Sequence, residues 1–145
     1  MKNKAAFVAV CFLLFPRGHF SYARDMCPYS IDGYVSLSSE SAAFKYAGMN
    51  ITFYNKTGKD IKRITFNFFL YDEDGNPPFP GNNCITVDCV QAVKAYDTVD
   101  FCVSLDEYMV TVPDEPYQTD FLYAGRIEYE DGTVWEDPYG LYVME

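Results

Sequence analysis

Basic residues and histidine are scarce in this sequence. It has 11 Lys and Arg residues against 21 Asp and Glu, and His19 is its one histidine. A formal net charge of −10 leaves no basic face for nucleic-acid phosphates, so we expect no nucleic-acid partner. No apolar run approaches the roughly 20 residues that a membrane-spanning helix needs, which predicts a protein that is not integral to a membrane.

Apolar and aromatic residues, in contrast, are abundant. Hydrophobic residues make up 49% and aromatic residues 18% of the 145 residues, which excludes a disordered chain because such chains have few aromatics. The length supports one core of ordinary size, and the sequence shows no repeat and no linker. We therefore expect a single folded domain.

Residues 1–23 have the three parts of a secretory signal peptide. A charged start is followed by an apolar run over 5–15, and Ser21 and Ala23 provide small residues at positions −3 and −1 of a cleavage site. We predict an exported protein, periplasmic or extracellular, whose mature domain covers 24–145.

Cleavage after Ala23 would leave eight basic residues against 21 acidic ones, a net charge of −13, and no histidine. Without histidine there is no Ser-His or Cys-His nucleophile and no histidine metal site. We therefore predict that the protein is not an enzyme and holds no cofactor. The alternative is a carboxylate-based hydrolase, because paired carboxylates hydrolyse glycosides. The adjacent acidic pairs are Asp106-Glu107, Asp114-Glu115 and Glu136-Asp137.

Short alternating runs separated by turn residues fill 29–143, and no helical pattern appears. In one run, Ala47, Met49, Ile51 and Phe53 alternate with Gly48, Asn50, Thr52 and Tyr54. This period predicts strands with one face on a core. The predicted strands are about 33–38, 43–55, 60–71, 84–93, 98–105, 119–130 and 133–143. The fold class is then all-β, a single antiparallel β-sandwich of about seven strands, immunoglobulin-like in size. A small β-barrel is the alternative.

The last hairpin has a predicted register. A two-residue loop at Asp131-Gly132 would place Trp135 on a face of charged residues. A three-residue loop that also includes Glu130 places Trp135 opposite Ile127, on one face with Tyr129. Large aromatics dominate core energetics, so burial of the one tryptophan outweighs turn preference. We predict the three-residue loop, with Trp135 as a core residue.

Four cysteines remain after cleavage, and an even number in an exported domain favours two disulfides. A hairpin that turns at Ala95-Tyr96 would place Cys89 opposite Cys102, which leaves Cys27 to pair with Cys84. A four-cysteine zinc site is the rival interpretation. Such sites usually show closely spaced pairs such as C-x2-C, and this sequence has none.

Asp72, Asp74 and Asn76 place oxygen atoms at alternate positions, as the start of an EF-hand calcium loop does. Pro77 stands where that loop needs glycine, and Asn83 stands where it needs a bidentate glutamate. We therefore predict a turn and no metal site. The alternative is a weak calcium site that this turn forms with another acidic loop.

Two sets of side chains are candidates for a binding surface. The basic residues around one turn are a candidate docking patch for an anionic partner, with a solvated hairpin end as the alternative. They are Lys56, Lys59, Lys62 and Arg63. Tyrosines near the predicted strand ends are a candidate aromatic surface for protein or sugar recognition, with packing of the sandwich ends as the alternative. They are Tyr108, Tyr117, Tyr139 and Tyr142.

Two tripeptides, Asn50-Ile51-Thr52 and Asn55-Lys56-Thr57, match the acceptor pattern for N-glycosylation. The pattern has a consequence only in a eukaryotic secretory pathway.

The stretches from Asn55 to Phe66 and from Leu70 to Pro77 resemble a recurrent piece of small exported bacterial domains. These domains are immunoglobulin-like or fibronectin-type-III-like β-sandwiches, many of unknown function. The ending from Ile127 to Trp135 is similar to their final hairpin, so the resemblance covers about 43–137. It implies a fold and an exported setting, and it carries no catalytic residue.

Export, strong acidity, surface tyrosines and the lack of a mature histidine favour a non-enzymatic binding or interaction module. Its partner would be a protein or a surface molecule, for example an envelope protein, a host surface molecule or a cationic peptide. The alternative is a structural accessory subunit of a cell-envelope complex.

Overall fold

The computed structural model of the chain describes residues 26–41, 44–78, 83–109 and 112–143. Seven strands make up most of it: β1 (Tyr29–Ser41), β2 (Phe44–Asn55), β3 (Ile61–Tyr71), β4 (Cys84–Cys89), β5 (Thr98–Ser104), β6 (Gln118–Tyr129) and β7 (Val134–Glu136). One short 3-10 helix, Asp106–Tyr108, follows β5. The predicted signal peptide lies outside the described residues and stays a prediction.

The strands form two antiparallel sheets, with the orders β1-β2-β5 and β4-β3-β6-β7. This confirms the predicted all-β sandwich. The chain passes from one sheet to the other after β2, β4 and β5, so these neighbours in sequence are not neighbours in a sheet. These three connections join the two layers, which pack around one core.

The core is built from the inward side chains that the alternation predicted. Met49, Ile51 and Phe53 of β2 are buried, and so are Phe66 of β3 and Phe101 of β5. The ring centroids of Phe53 and Phe66 are 5.9 Å apart, and those of Phe66 and Phe101 are 5.2 Å apart. Both pairs meet edge to face, the arrangement that the charge distribution of aromatic rings favours.

The final hairpin has the predicted register. Ile127 lies opposite Trp135, and the N–H of Tyr129 donates to the carbonyl of Thr133 at 3.0 Å. Gly132 adopts a φ of +82°, the left-handed conformation that the third residue of such a loop requires. Trp135 is half-buried and packs edge-on against Tyr29, with ring centroids 5.7 Å apart. The prediction of a three-residue loop is confirmed.

Three strand boundaries differ clearly from the prediction. β1 begins at Tyr29 rather than near residue 33, β4 ends at Cys89 rather than near residue 93, and β7 ends at Glu136 rather than near residue 143. The carboxylate of Asp137 stops β7, because it accepts the N–H of Leu141 at 2.9 Å and the N–H of Tyr142 at 3.0 Å. These bonds hold the segment after β7 in turns and not in the sheet.

Tyr29 fastens the two sheets to each other at a bulge. Across from Thr65 and Phe66, β6 contains one extra residue, Gly125, where a Cβ would collide with the amide of Asn67. The adjacent N–H of Ala124 donates to the phenol oxygen of Tyr29 at 3.0 Å. Tyr29 is buried, and this burial raises its pKa above the usual value. Its hydroxyl therefore satisfies a backbone donor that the bulge removes from the ladder.

The predicted disulfides are wrong. Cys89 on β4 lies opposite Ile64 of β3, whereas Cys102 on β5 lies opposite Asn50 of β2, so the two cysteines are in different sheets. The assumed hairpin between β4 and β5 does not form, because the chain changes sheets there.

The second predicted pair fails for a similar reason. Cys27 precedes the edge strand β1, which faces β6, and Cys84 begins β4 at the far edge of the other sheet. Among the described cysteines no sulfur–sulfur bond is formed.

Candidate functional site

The outer side of the three-stranded sheet carries tyrosines and small polar residues. We name this surface the tyrosine face. Its members are the outward side chains of β1, β2 and β5, namely Ser30, Asp32, Tyr34, Ser36, Ser38, Tyr46, Gly48, Asn50, Thr52, Tyr54, Thr98, Asp100, Cys102 and Ser104. It consists of strand residues, so the sheet ladder fixes its backbone.

Three tyrosines spread along the tyrosine face. Tyr34 is 65% exposed, Tyr46 42% and Tyr54 36%. Tyr34 lies opposite Asn50, which is four residues from each of the other two tyrosines on β2. At about 3.4 Å per residue, Tyr46 and Tyr54 are each about 14 Å along the strand from the level of Tyr34. The rings therefore cover the length of the sheet.

Hydrogen bonds fix the polar side chains between the tyrosines. The amide of Asn50 donates to the hydroxyl of Ser36 at 2.7 Å, and the hydroxyl of Thr52 donates to a carboxylate oxygen of Asp100 at 2.7 Å. Cys102 is exposed beside them, next to the space left by Gly48. The surface is thus ordered before any partner arrives, which lowers the entropy cost of binding.

The charge of the tyrosine face differs from that of the opposite side of the sandwich. Its members include two aspartates, Asp32 and Asp100, and no lysine or arginine. On the outer side of the four-stranded sheet, Arg126 contacts Glu128 at 3.1 Å and also pairs with Glu136. There, Arg126 offsets part of the charge of Glu128 and Glu136. The tyrosine face, in contrast, has a weak negative charge from its two aspartates.

The tyrosine face combines tyrosines with small polar residues, as the binding loops of antibodies do. Tyrosine offers large, rigid contact area at low entropy cost, and serine, glycine and asparagine offer adaptable hydrogen bonds. The sequence carried a signal for this surface, because Gly48, Asn50, Thr52 and Tyr54 are the polar half of the β2 alternation. The sequence did not indicate that Tyr34 lies on the same face as these β2 residues, because the pairing of β1 with β2 was not predicted.

The four tyrosines predicted as an aromatic surface have different environments. Tyr139 is 71% exposed, and Tyr142 is half-buried with its ring 5.4 Å from Trp135. Tyr108 and Tyr117 are half-buried, and burial raises the pKa of both phenols. Tyr108, Tyr117 and Tyr142 also pack against the hydrophobic core. A shared recognition role for these four residues stays a prediction.

The four residues of the candidate docking patch also have different contacts. Lys59 binds the carboxylate of Asp131 at 2.8 Å and lies over the ring of Tyr129. Arg63 is half-buried on β3, opposite Glu128, while Lys62 and Lys56 are exposed. Lys59 therefore fastens the β6–β7 loop, and docking by the whole patch stays a prediction.

The contact between Lys59 and Asp131 predicts an acid dependence of stability. The hydrogen bond from Lys59, followed by those from the side chain and the backbone N–H of Thr133, lowers the pKa of Asp131 to about 2. A carboxylate with a lowered pKa stabilises the fold above its unfolded pKa near 4, and this contribution is lost as the pH falls towards 2. Urea unfolding between pH 5 and 2 should show a shallower loss of stability for Asp131→Asn than for the wild type. Equal slopes would contradict this assignment.

The predicted turn at Asp72 is present. One carboxylate oxygen of Asp72 accepts the N–H of Asp74 at 3.0 Å and the N–H of Asn76 at 2.8 Å. A cavity of about 270 Å³ is lined by Asp72 and Glu73 and by Asp114 and Glu115 of another acidic loop. Within the described part of the chain, no three His, Cys, Asp or Glu side chains are placed to hold a metal ion.

The two potential glycosylation asparagines differ sharply. Asn55 is 0% exposed, and its amide donates to the carbonyls of Lys59 at 2.8 Å and Lys94 at 3.0 Å. Its side-chain oxygen accepts the N–H of Thr57 at 3.0 Å and the hydroxyl of Thr57 at 2.7 Å. Asn50 is half-buried on the tyrosine face. Asn55 is therefore a structural residue that closes the β2–β3 turn.

Comparisons with known proteins add little to this description. No protein-family model matches the chain, and a search of curated proteins finds no relative. Among solved structures, the chain is similar to the X-ray structure of Northeast Structural Genomics Consortium target SoR45, with a TM-score of 0.42 and 13% identity. The match covers 74% of this chain and 79% of that one. Within the described residues, no helix is long and apolar enough to cross a membrane.

Proposed function

We propose that this protein is an exported, non-enzymatic interaction module that binds a cationic partner protein through the tyrosine face. The observation that carries the proposal is the composition of this face, which combines three exposed tyrosines and two aspartates with no basic side chain. Protein interfaces are enriched in tyrosine, and charge complementarity selects partners of opposite sign.

Two further properties support the same function. The mature sequence would have a net charge of −13, which favours approach by a basic partner. Cleavage of a signal peptide over 1–23 would place the domain outside the cytoplasm. We also propose that the sandwich is immunoglobulin-like, since it has seven strands in sheets of three and four, the arrangement of that fold.

The test is capture of a partner by matched variants. The exported protein is immobilised as the wild type, as Tyr34→Ser/Tyr46→Ser/Tyr54→Ser, and as Tyr139→Ser, which changes an exposed tyrosine outside the face. The wild type and Tyr139→Ser should retain one basic protein from the cell envelope in stoichiometric amount. The triple variant should bind that purified protein at least tenfold more weakly.

Salt dependence tests the electrostatic part. Raising the salt concentration from about 50 to 500 mM should weaken the wild-type complex, because exposed charges are screened beyond a few ångströms at high salt. Capture of nothing, or equal capture by the triple variant, would overturn the proposal. Affinity that does not change with salt would remove the cationic partner from it.

A further inference from the structure

A groove of about 510 Å³ lies beside the first three residues of β1. Ser30 and Ile31 line one wall, and Asp120, Phe121 and Leu122 of β6 line the other. Ser30 points outward and Ile31 packs towards the core, yet both of these adjacent residues line the groove. Because adjacent strand residues point to opposite faces, the wall that they share is the backbone edge of β1. We name this feature the β1 groove.

The hydrogen-bond pattern of β1 shows which backbone groups face the groove. β1 is the outer strand of its sheet, and the N–H of Lys56 donates to the carbonyl of Pro28 at 2.9 Å. Bonded and non-bonded pairs alternate in an antiparallel ladder, so the N–H and C=O of Ile31 and Gly33 point away from β2. The carboxylate of Asp32 accepts the Gly33 N–H at 2.9 Å, which agrees with this direction.

The β6 wall of the groove is flanked by the segment after β7, because Gly140 packs against Phe121 and Tyr123, and Tyr142 and Val143 also line the groove. β7 pairs with β6 only from Arg126 to Glu128, so within the described chain it does not reach the part of β6 beside the groove. Phe121 there has a φ of +49° and interrupts the register with β3. The groove thus lies between the edge of β1, the β6 wall and the segment after β7, and its lining mixes polar groups with apolar side chains such as Tyr29 and Leu122.

We propose that the β1 groove binds an extended peptide segment of a partner protein, which adds to the three-stranded sheet as a new strand beside β1. Backbone hydrogen bonds with Ile31 would supply affinity, and pockets for alternate side chains would supply selectivity. Residues 28–33 span about 17 Å, the length of about five extended residues. This site shares Ser30 with the tyrosine face but contains none of its three tyrosines, and it does not depend on the proposed function.

Charges at the two ends of the groove determine which charge order an antiparallel peptide needs. Lys56 lies beside the start of β1, opposite Pro28, and Asp120 lies on the β6 wall near Leu122, whose side chain reaches Gly33. An antiparallel peptide would place its N-terminal part at Asp120 and its C-terminal part at Lys56. The preferred sequence therefore has a Lys or Arg first and an Asp or Glu about four to six residues later.

The test begins with a displayed library of random 12-residue peptides, selected on the exported wild-type protein. Enriched peptides should share this charge order with alternating apolar residues. Ile31→Pro removes one N–H that points away from β2, a change that an edge strand tolerates. It should weaken binding of an enriched peptide at least tenfold, while Ile31→Val should change it less than twofold. The triple tyrosine variant should bind the peptide like the wild type.

Modified peptides test the proposal without any change in the protein. N-methylation of the peptide amide opposite Ile31 should weaken binding to the wild type at least tenfold, and methylation of the next amide should change it less than threefold. No enriched peptide, equal binding by Ile31→Pro in a folded variant, or no alternation in the methylation series would each overturn the proposal. These results leave the capture experiment on the tyrosine face unaffected, so failure of one proposal is distinguishable from failure of the other.

Discussion

Replacement of Asn55 by alanine is expected to destabilise the protein by about 3–4 kcal/mol, a large loss against the roughly 5–15 kcal/mol of a typical domain. The substitution removes a fully buried amide with four hydrogen bonds. The carbonyl of Lys94 and the N–H of Thr57 would lose their side-chain partner, and the carbonyl of Lys59 would keep only the Thr57 hydroxyl at 3.4 Å. Each buried group left unsatisfied costs about 1–3 kcal/mol. Urea unfolding monitored by Trp135 fluorescence measures the loss.

Asn50→Ala is the matched control for Asn55→Ala. Asn50 is the same residue type on the same strand, but it lies half-buried on the outer face and its amide donates one hydrogen bond, to Ser36. We expect a cost of about 0.5–1 kcal/mol for this change. If the free energies of unfolding of the two alanine variants differ by less than about 0.5 kcal/mol, the role assigned to Asn55 in closing the β2–β3 turn is wrong.

The second large effect is expected for Tyr29→Phe, at about 2 kcal/mol. The variant keeps the ring that packs against Phe53 and Trp135, with centroids 5.3 and 5.7 Å away, and removes only the hydroxyl. The N–H of Ala124 is then buried without an acceptor at the bulge of β6. Tyr34→Phe is the control, because it deletes a hydroxyl from an exposed ring and should stay within 0.5 kcal/mol of the wild type.

The alkaline pH dependence gives Tyr29→Phe a second, independent measurement. Burial raises the pKa of Tyr29, so the folded state keeps this proton where the unfolded chain releases it. A group with a raised folded pKa stabilises the fold fully below its unfolded pKa, near 10 for tyrosine, and this contribution declines as the pH rises further. The stability difference between the wild type and Tyr29→Phe should therefore shrink above pH 10. A constant difference would show that Tyr29 ionises freely in the folded state.

The parts of the fold that local patterns determine were predictable. Alternation identified the inward residues of β2 and β3, and the size of Trp135 identified the register of the last hairpin. The end of β7 was not predictable, because it depends on where the carboxylate of Asp137 finds two backbone donors. The β4–β5 connection failed for another reason. A hairpin and a crossover between sheets have the same alternating sequence on either side of the turn, so local pattern does not separate them.

The candidate site was less predictable than the fold. Tyrosines near acidic residues and prolines were expected to form the surface, whereas Tyr34, Tyr46 and Tyr54 lie in the middle of strands. Their common side follows from the pairing of β1 with β2, which joins residues up to 26 positions apart. In the sequence, Asn55 was a potential glycosylation site. Only its hydrogen bonds to the loops at Lys59 and Lys94 show that it is a buried structural residue.

The exposed thiol of Cys102 makes the tyrosine face accessible to covalent labelling. Thiol reagents act on accessible thiolates, and Cys102 is the exposed cysteine among the described ones, whereas burial raises the pKa of Cys27 and of the half-buried Cys84 and Cys89. A maleimide fluorophore added in limiting amount will therefore attach beside Asn50, between the tyrosines. The wild-type chain thus contains its own labelling position. A change in the emission of the fluorophore when a partner is added would show that the partner binds the tyrosine face.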